Sequence, residues 1–154
     1  MFALLDRLPP AGAVARRLGT AFLAAYLALI SVAYLSQVVL VPRFLAAGEA
    51  SLARAWYFGS HASIAYFVNQ LGYCLWGAGA LILFLGPLRT NGLPRVIAAF
   101  YCLSGVLSLV AFAGLLVEND ALNRLTLPGG LMLLPVGILT AIWGMRSPHP
   151  PFGG

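Results

Sequence analysis

Four apolar runs divide the chain: Leu18 to Val41, His61 to Leu85, Leu93 to Val117 and Leu125 to Met145. Each is ~20–25 residues long, which at ~1.5 Å of rise per residue matches a hydrocarbon core of ~30 Å. Membrane strands would need shorter segments that alternate polar and apolar side chains, and no such alternation is present. The pattern therefore predicts an all-α four-helix bundle spanning a membrane, a single transmembrane domain over residues 1–154.

The connections between runs carry their own signals. The lead "MFALLDRLPPAGAVARR" holds Pro9 and Pro10, which stop an early helix, and places Phe2, Leu4 and Leu5 beside Arg7 as in a segment lying on a membrane surface. Arg16 and Arg17 before an apolar run, with Ser31-Val32-Ala33 beyond, resemble a signal peptide. The run continues to Val41, however, and is read as a span. In "PRFLAAGEASLARAWYFGSH", Leu45, Leu52 and Trp56 recur near helical spacing, predicting a short interfacial helix anchored by Trp56, Tyr57 and Phe58. Ser60 is the expected N-cap of the second span. "GPLRTNGLPR" breaks at Gly86-Pro87, turns at Asn91-Gly92 and restarts at Pro94, so the second and third spans form an antiparallel hairpin. Pro135 should kink or open the fourth span, and "SPHPPFGG" reads as a disordered proline-rich tail.

At about 100° per residue, the second span separates into two faces. Tyr66, Asn69, Gln70, Tyr73 and Cys74 gather with Ala62, Ser63, Gly77 and Ala80, while Ile64, Phe67, Val68, Leu71, Leu75, Ala78 and Ile82 take the opposite arc. On the first span Tyr34 and Gln37 share a face at a matching depth, and Ser108 of the third span, four residues from Ser104, lies near the same level. Tyr34, Gln37, Tyr66, Asn69, Gln70, Tyr73 and Ser108 are thus expected to converge. Such a cluster serves either as interhelical hydrogen-bond glue or as the polar end of a site for a lipid, quinone or similar amphipath. Gly72 and Gly79 in the second span, and Gly137, Ala141 and Gly144 in the fourth, are small residues at spacings that let helices approach closely, within this chain or with another.

Composition agrees: 61% of residues are hydrophobic and 8% charged, with mean hydropathy +0.92, against roughly 25% charged in soluble domains. All nine basic residues are arginine. With the N-terminus in the cytoplasm, Arg7, Arg16, Arg17, Arg89, Arg95 and Arg146 stay inside and Arg43, Arg54 and Arg124 lie outside, which favours N-in and C-in. The net charge of +5 then faces anionic headgroups. No basic run suggests nucleic acid.

Chemistry is sparse. Asp, Glu, Lys and Arg are missing from the middle of every span, which argues against an ion or proton path. His61 falls outside the polar arc. Although Glu118 and Asp120 share its side of the membrane, the spacing matches no metal motif, and no metal is assigned. His149 sits on the other side, so paired-histidine haem ligation is excluded. Cys74 and Cys102 differ in depth and are expected to stay free thiols. No nucleophile elbow, HExxH, CxxC or phosphate-binding glycine loop is present, so an enzyme is not expected and no cofactor is predicted, though a bound lipid or quinone would fit.

The stretch "VPRFLAAGEASLARAWYFGS", together with "NGLPR", resembles uncharacterised multi-pass bacterial membrane proteins of a domain of unknown function. The resemblance implies a bacterial inner-membrane location and no activity or site residues. The leading expectation is a small accessory or assembly subunit, whose partners are the bilayer and other membrane subunits or further copies of itself. The alternative is a protein that binds or transports a small amphipath on the polar face.

Overall fold

The computed structural model describes residues 12–146, so the lead expected to lie on the membrane surface, before Gly12, and the tail expected to be disordered, 147–154, fall outside the described residues. The first span is longer than its apolar run. Helix α1 (Ala13–Leu35), a π turn (Ser36–Leu40) and α2 (Val41–Ala46) form one continuous stretch, Ala13–Ala46, of 34 residues. Pro42 explains the π turn. It has no N–H and its ring crowds the carbonyl four residues back, so the helix widens just before it, with Val41 N–H donating to the Ser36 carbonyl. The helix ends where Gly48 takes φ +76°, a left-handed conformation that suits glycine.

The interfacial helix is α3 (Ala50–Trp56), and Leu45 belongs to α2 rather than to it. Helix α4 (Ile64–Phe84) begins later than its hydrophobic run. Its N-cap is Ser63, whose Oγ accepts from Tyr66 N–H at 3.1 Å, and not Ser60, whose N–H closes a turn on the Tyr57 carbonyl. A short 3-10 turn (Pro87–Arg89) and Gly92 at φ +73° lead into α5 (Leu93–Leu116), with Pro94 in its first turn. The fourth span starts earlier than expected and comes in pieces: α6 (Asp120–Asn123), α7 (Thr126–Leu131) and α8 (Leu133–Arg146). The break at Met132 directly follows Leu131, the residue whose carbonyl the Pro135 ring would strike.

Helix α1 packs antiparallel along α4, α4 along α5, and α5 against α6, α7 and α8. Gly79 sits against the Gly19 carbonyl and Phe22, and Gly72 against Leu29 and Tyr26, at the expected close approach. A further close approach is one the small-residue stripes did not include. A Cβ on Gly77 would stand 2.6 Å from the Gly105 carbonyl oxygen, so α4 and α5 touch backbone to backbone. An aromatic series crosses the core, from Tyr26 to Trp76 (5.4 Å), Tyr101 (5.8 Å) and Phe84 (4.0 Å, stacked). In contrast, Gly137 and Ala141 are exposed, and a Cβ on Gly137 or Gly144 would meet nothing within 4 Å. Helix α8 instead turns Leu133, Val136, Leu139 and Trp143 to the core.

The four membrane-length helices make this a multi-pass membrane protein. About half of the apolar window is buried in the second span (50%) and third span (44%), but only 17% in the first and 11% in the fourth. The first and last spans therefore flank the inner pair and leave their outer surfaces to the bilayer.

Candidate functional site

Because α1 and α7 flank α4 without closing over it, a cavity of ≈350 Å³ opens on the polar face of α4 near the α3 end of the bundle. Its floor is Tyr66, Asn69, Gln70 and Tyr73, successive turns of α4. Tyr34 of α1 and Phe58 of the following loop wall one side, and Thr126, Leu127, Gly130 and Leu131 of α7 the other. Among the described residues no charged side chain lines it.

Two kinds of polar group meet here. Gln70 is 1% exposed and fully engaged. Its Nε2 donates to Asn123 Oδ1 (2.6 Å) and to the Tyr66 hydroxyl (2.9 Å), and its Oε1 lies 2.9 Å from Thr126 Oγ1. Asn123 Nδ2 also donates to the Tyr66 hydroxyl, at 2.8 Å. This cluster ties α4 to α6 and α7 and is interhelical glue, each bond of the kind that contributes about 0.6 kcal/mol in membranes. Asn69 differs. It is 4% exposed, and its Oδ1 is buried without a hydrogen-bond partner among the described residues. Leaving such an acceptor unpaired costs about 1–3 kcal/mol.

Of the seven residues expected to converge, Tyr34, Tyr66, Asn69, Gln70 and Tyr73 line the cavity. Gln37 does not, because the π turn redirects it toward the α3 loop. There its Nε2 donates to the Trp56 carbonyl and its Oε1 accepts the Phe58 N–H, both at 2.8 Å. Phe58 is thereby set against Tyr34 (5.7 Å, stacked) and Tyr66 (6.0 Å, edge-on). Ser108 also stays outside. It is buried beside Gly129, its Oγ unpartnered, and Ser104 makes the interhelical link instead, accepting from Trp76 Nε1 (3.1 Å) and donating to the Gly129 carbonyl (2.8 Å).

The residues that sequence reasoning missed come from connections or their borders. Phe58 was read only as an interfacial anchor, Asn123 lay between the third and fourth apolar runs, and Thr126, at the start of the fourth, was given no role. The available signal was Asn119 followed by Asp-Ala-Leu: its side chain accepts from Leu122 N–H at 3.2 Å and caps α6, which brings Asn123 over α4.

His61 lies beside a second cavity bordered by Glu118 and Asp120. Its Nδ1 is 4.0 Å from Asp120 Oδ1, both side chains are well exposed, and its ring stacks on Tyr66 at 4.7 Å. So open a pair is held weakly against water. Among the described residues no three His, Cys, Asp or Glu side chains come close enough to hold a metal. Cys74 and Cys102 are free thiols. Comparison with family models, curated proteins and solved structures finds no match for this chain.

Proposed function

We propose that this chain is a small non-enzymatic membrane protein that binds an uncharged amphipathic molecule, of lipid or quinone type, in the lateral groove between α1 and α7. The observation that carries this reading is Asn69, a nine-tenths buried amide with an unpaired oxygen on the floor of a cavity walled by aromatic and leucine side chains. Protein interiors rarely keep such an acceptor unless something supplies a donor. In the N-in orientation favoured by the arginines, the groove faces the outer leaflet of a bacterial inner membrane, where such molecules partition. Native mass spectrometry of gently extracted protein should find a co-purified lipid or quinone-type molecule, with lower occupancy in Asn69→Leu where that molecule carries a hydrogen-bond donor. Unchanged occupancy by such a molecule in that variant removes the site.

An accessory-subunit role is favoured by a different feature. Gly137 and Ala141 are exposed on α8, a surface of small residues on which another helix could lie closely. Purification in mild detergent should then recover a stoichiometric partner, and recovery of this chain alone counts against the role.

A further inference from the structure

Hydrogen-bond valences on the groove floor do not close within the chain. The Tyr66 hydroxyl accepts from Gln70 Nε2 at 2.9 Å and from Asn123 Nδ2 at 2.8 Å. A phenol offers two acceptor lone pairs and one proton, so with both lone pairs occupied its O–H can only donate. No described residue takes that proton. One helical turn along the same face, Asn69 Oδ1 has the opposite need, an acceptor with no donor. Gln70, next to Asn69 in sequence, is spent on Asn123, Tyr66 and Thr126 and has nothing left to offer a ligand.

Resting on the groove reading above, we infer that the groove selects neutral amphipaths carrying a free hydroxyl, which accepts from Tyr66 and donates to Asn69. A hydroxyl is the smallest uncharged group that does both. A quinone or ester carbonyl only accepts, and leaves Asn69 unpaired. An ammonium or carboxylate would enter a cavity with no charged side chain to compensate its desolvation. The apolar tail leaves past Leu127 and Leu131, whose side chains are exposed at the groove mouth. Two sources supply this chemistry, the free hydroxyl of a diacylglycerol and the phenol of a reduced quinol.

The test titrates purified protein, by native mass spectrometry, with two matched probe pairs: dioctanoylglycerol against its O-methyl ether, and a short-tailed quinol against its quinone. The hydroxyl member of at least one pair should bind about tenfold tighter, the effect of leaving one buried acceptor unpaired. The pair that shows it identifies the source. Asn69→Ala should bring the ratio down to about twofold or less, while binding of the ether or quinone, which gives Asn69 no proton, stays within about threefold; Tyr66→Phe should weaken both members of a pair, because each accepts from its hydroxyl. Asn69 lies outside the Gln70 cluster, so Asn69→Ala carries the test even if Tyr66→Phe does not fold. Equal binding within both pairs, or a preference that survives Asn69→Ala, overturns hydroxyl selection and leaves the groove reading standing. Failure of all four probes to bind the unmodified protein overturns both.

Discussion

Gln37 holds Phe58 by its backbone: the amide oxygen of one accepts the N–H of the other at 2.8 Å, across 21 residues of chain. With the second bond to the Trp56 carbonyl, the side chain mimics a stretch of backbone and fixes the loop between α3 and α4. Replacing Gln37 by Leu leaves two backbone groups without partners and should destabilise the protein by about 1–3 kcal/mol. Hydrogen exchange should rise selectively around residues 57–62. Unchanged exchange there would mean that the loop is held by other contacts, such as the stacking of Phe58 on Tyr34.

Glycines that look equivalent in sequence should behave differently. Gly77→Ala drives a methyl group into the Gly105 carbonyl and should lower stability by about 1–3 kcal/mol. Gly137→Ala meets open space and should be neutral or stabilising by up to about 1 kcal/mol, through helix propensity. Thermal unfolding of both variants in one detergent gives the comparison, and equal losses would contradict the α4–α5 backbone contact.

The bond between Gln70 and Asn123, 2.6 Å long and buried at both ends, should show energetic coupling. Gln70→Leu and Asn123→Leu each break the cluster, so the double variant should lose less than the two single losses added together, by about 0.5–1.7 kcal/mol. A double-mutant cycle on unfolding free energies measures this. Strict additivity would show that the two amides act independently.

Asn69→Leu has an unusual expected sign. Removing an unsatisfied buried carbonyl should stabilise ligand-free protein by about 1–2 kcal/mol, although the same change lowers ligand occupancy. The rise in melting temperature over the unmodified protein should therefore shrink when probe is added, because the variant gains less from binding. A destabilised, ligand-free Asn69→Leu would mean that the amide is already satisfied.

Sequence alone determined four spans, the tight hairpin through Gly92 and Pro94, a short helix carrying Leu52 and Trp56 between the first two spans, and the gathering of Tyr66, Asn69, Gln70 and Tyr73 on one face of α4. These follow from periodicity and turn chemistry, which are local: about 100° per residue assigns faces without reference to any neighbour. Tertiary structure decided what each face meets. Gln37 left the expected cluster because Pro42 forces a π turn that rotates it toward the α3 loop. Ser63 displaced Ser60 as the cap because the chain needs a further turn after Phe58 before α4 can start. Asn123 joined the site from a connection with no period to read, and Thr126 from the first turn of the fourth run, and they divided its polar groups into Gln70, satisfied by protein, and Asn69, left for something else. Gly77 proved to be a backbone-to-backbone contact, and Gly137 to face open space, because the spacing of small residues records where helices can approach and only the fold selects where they do.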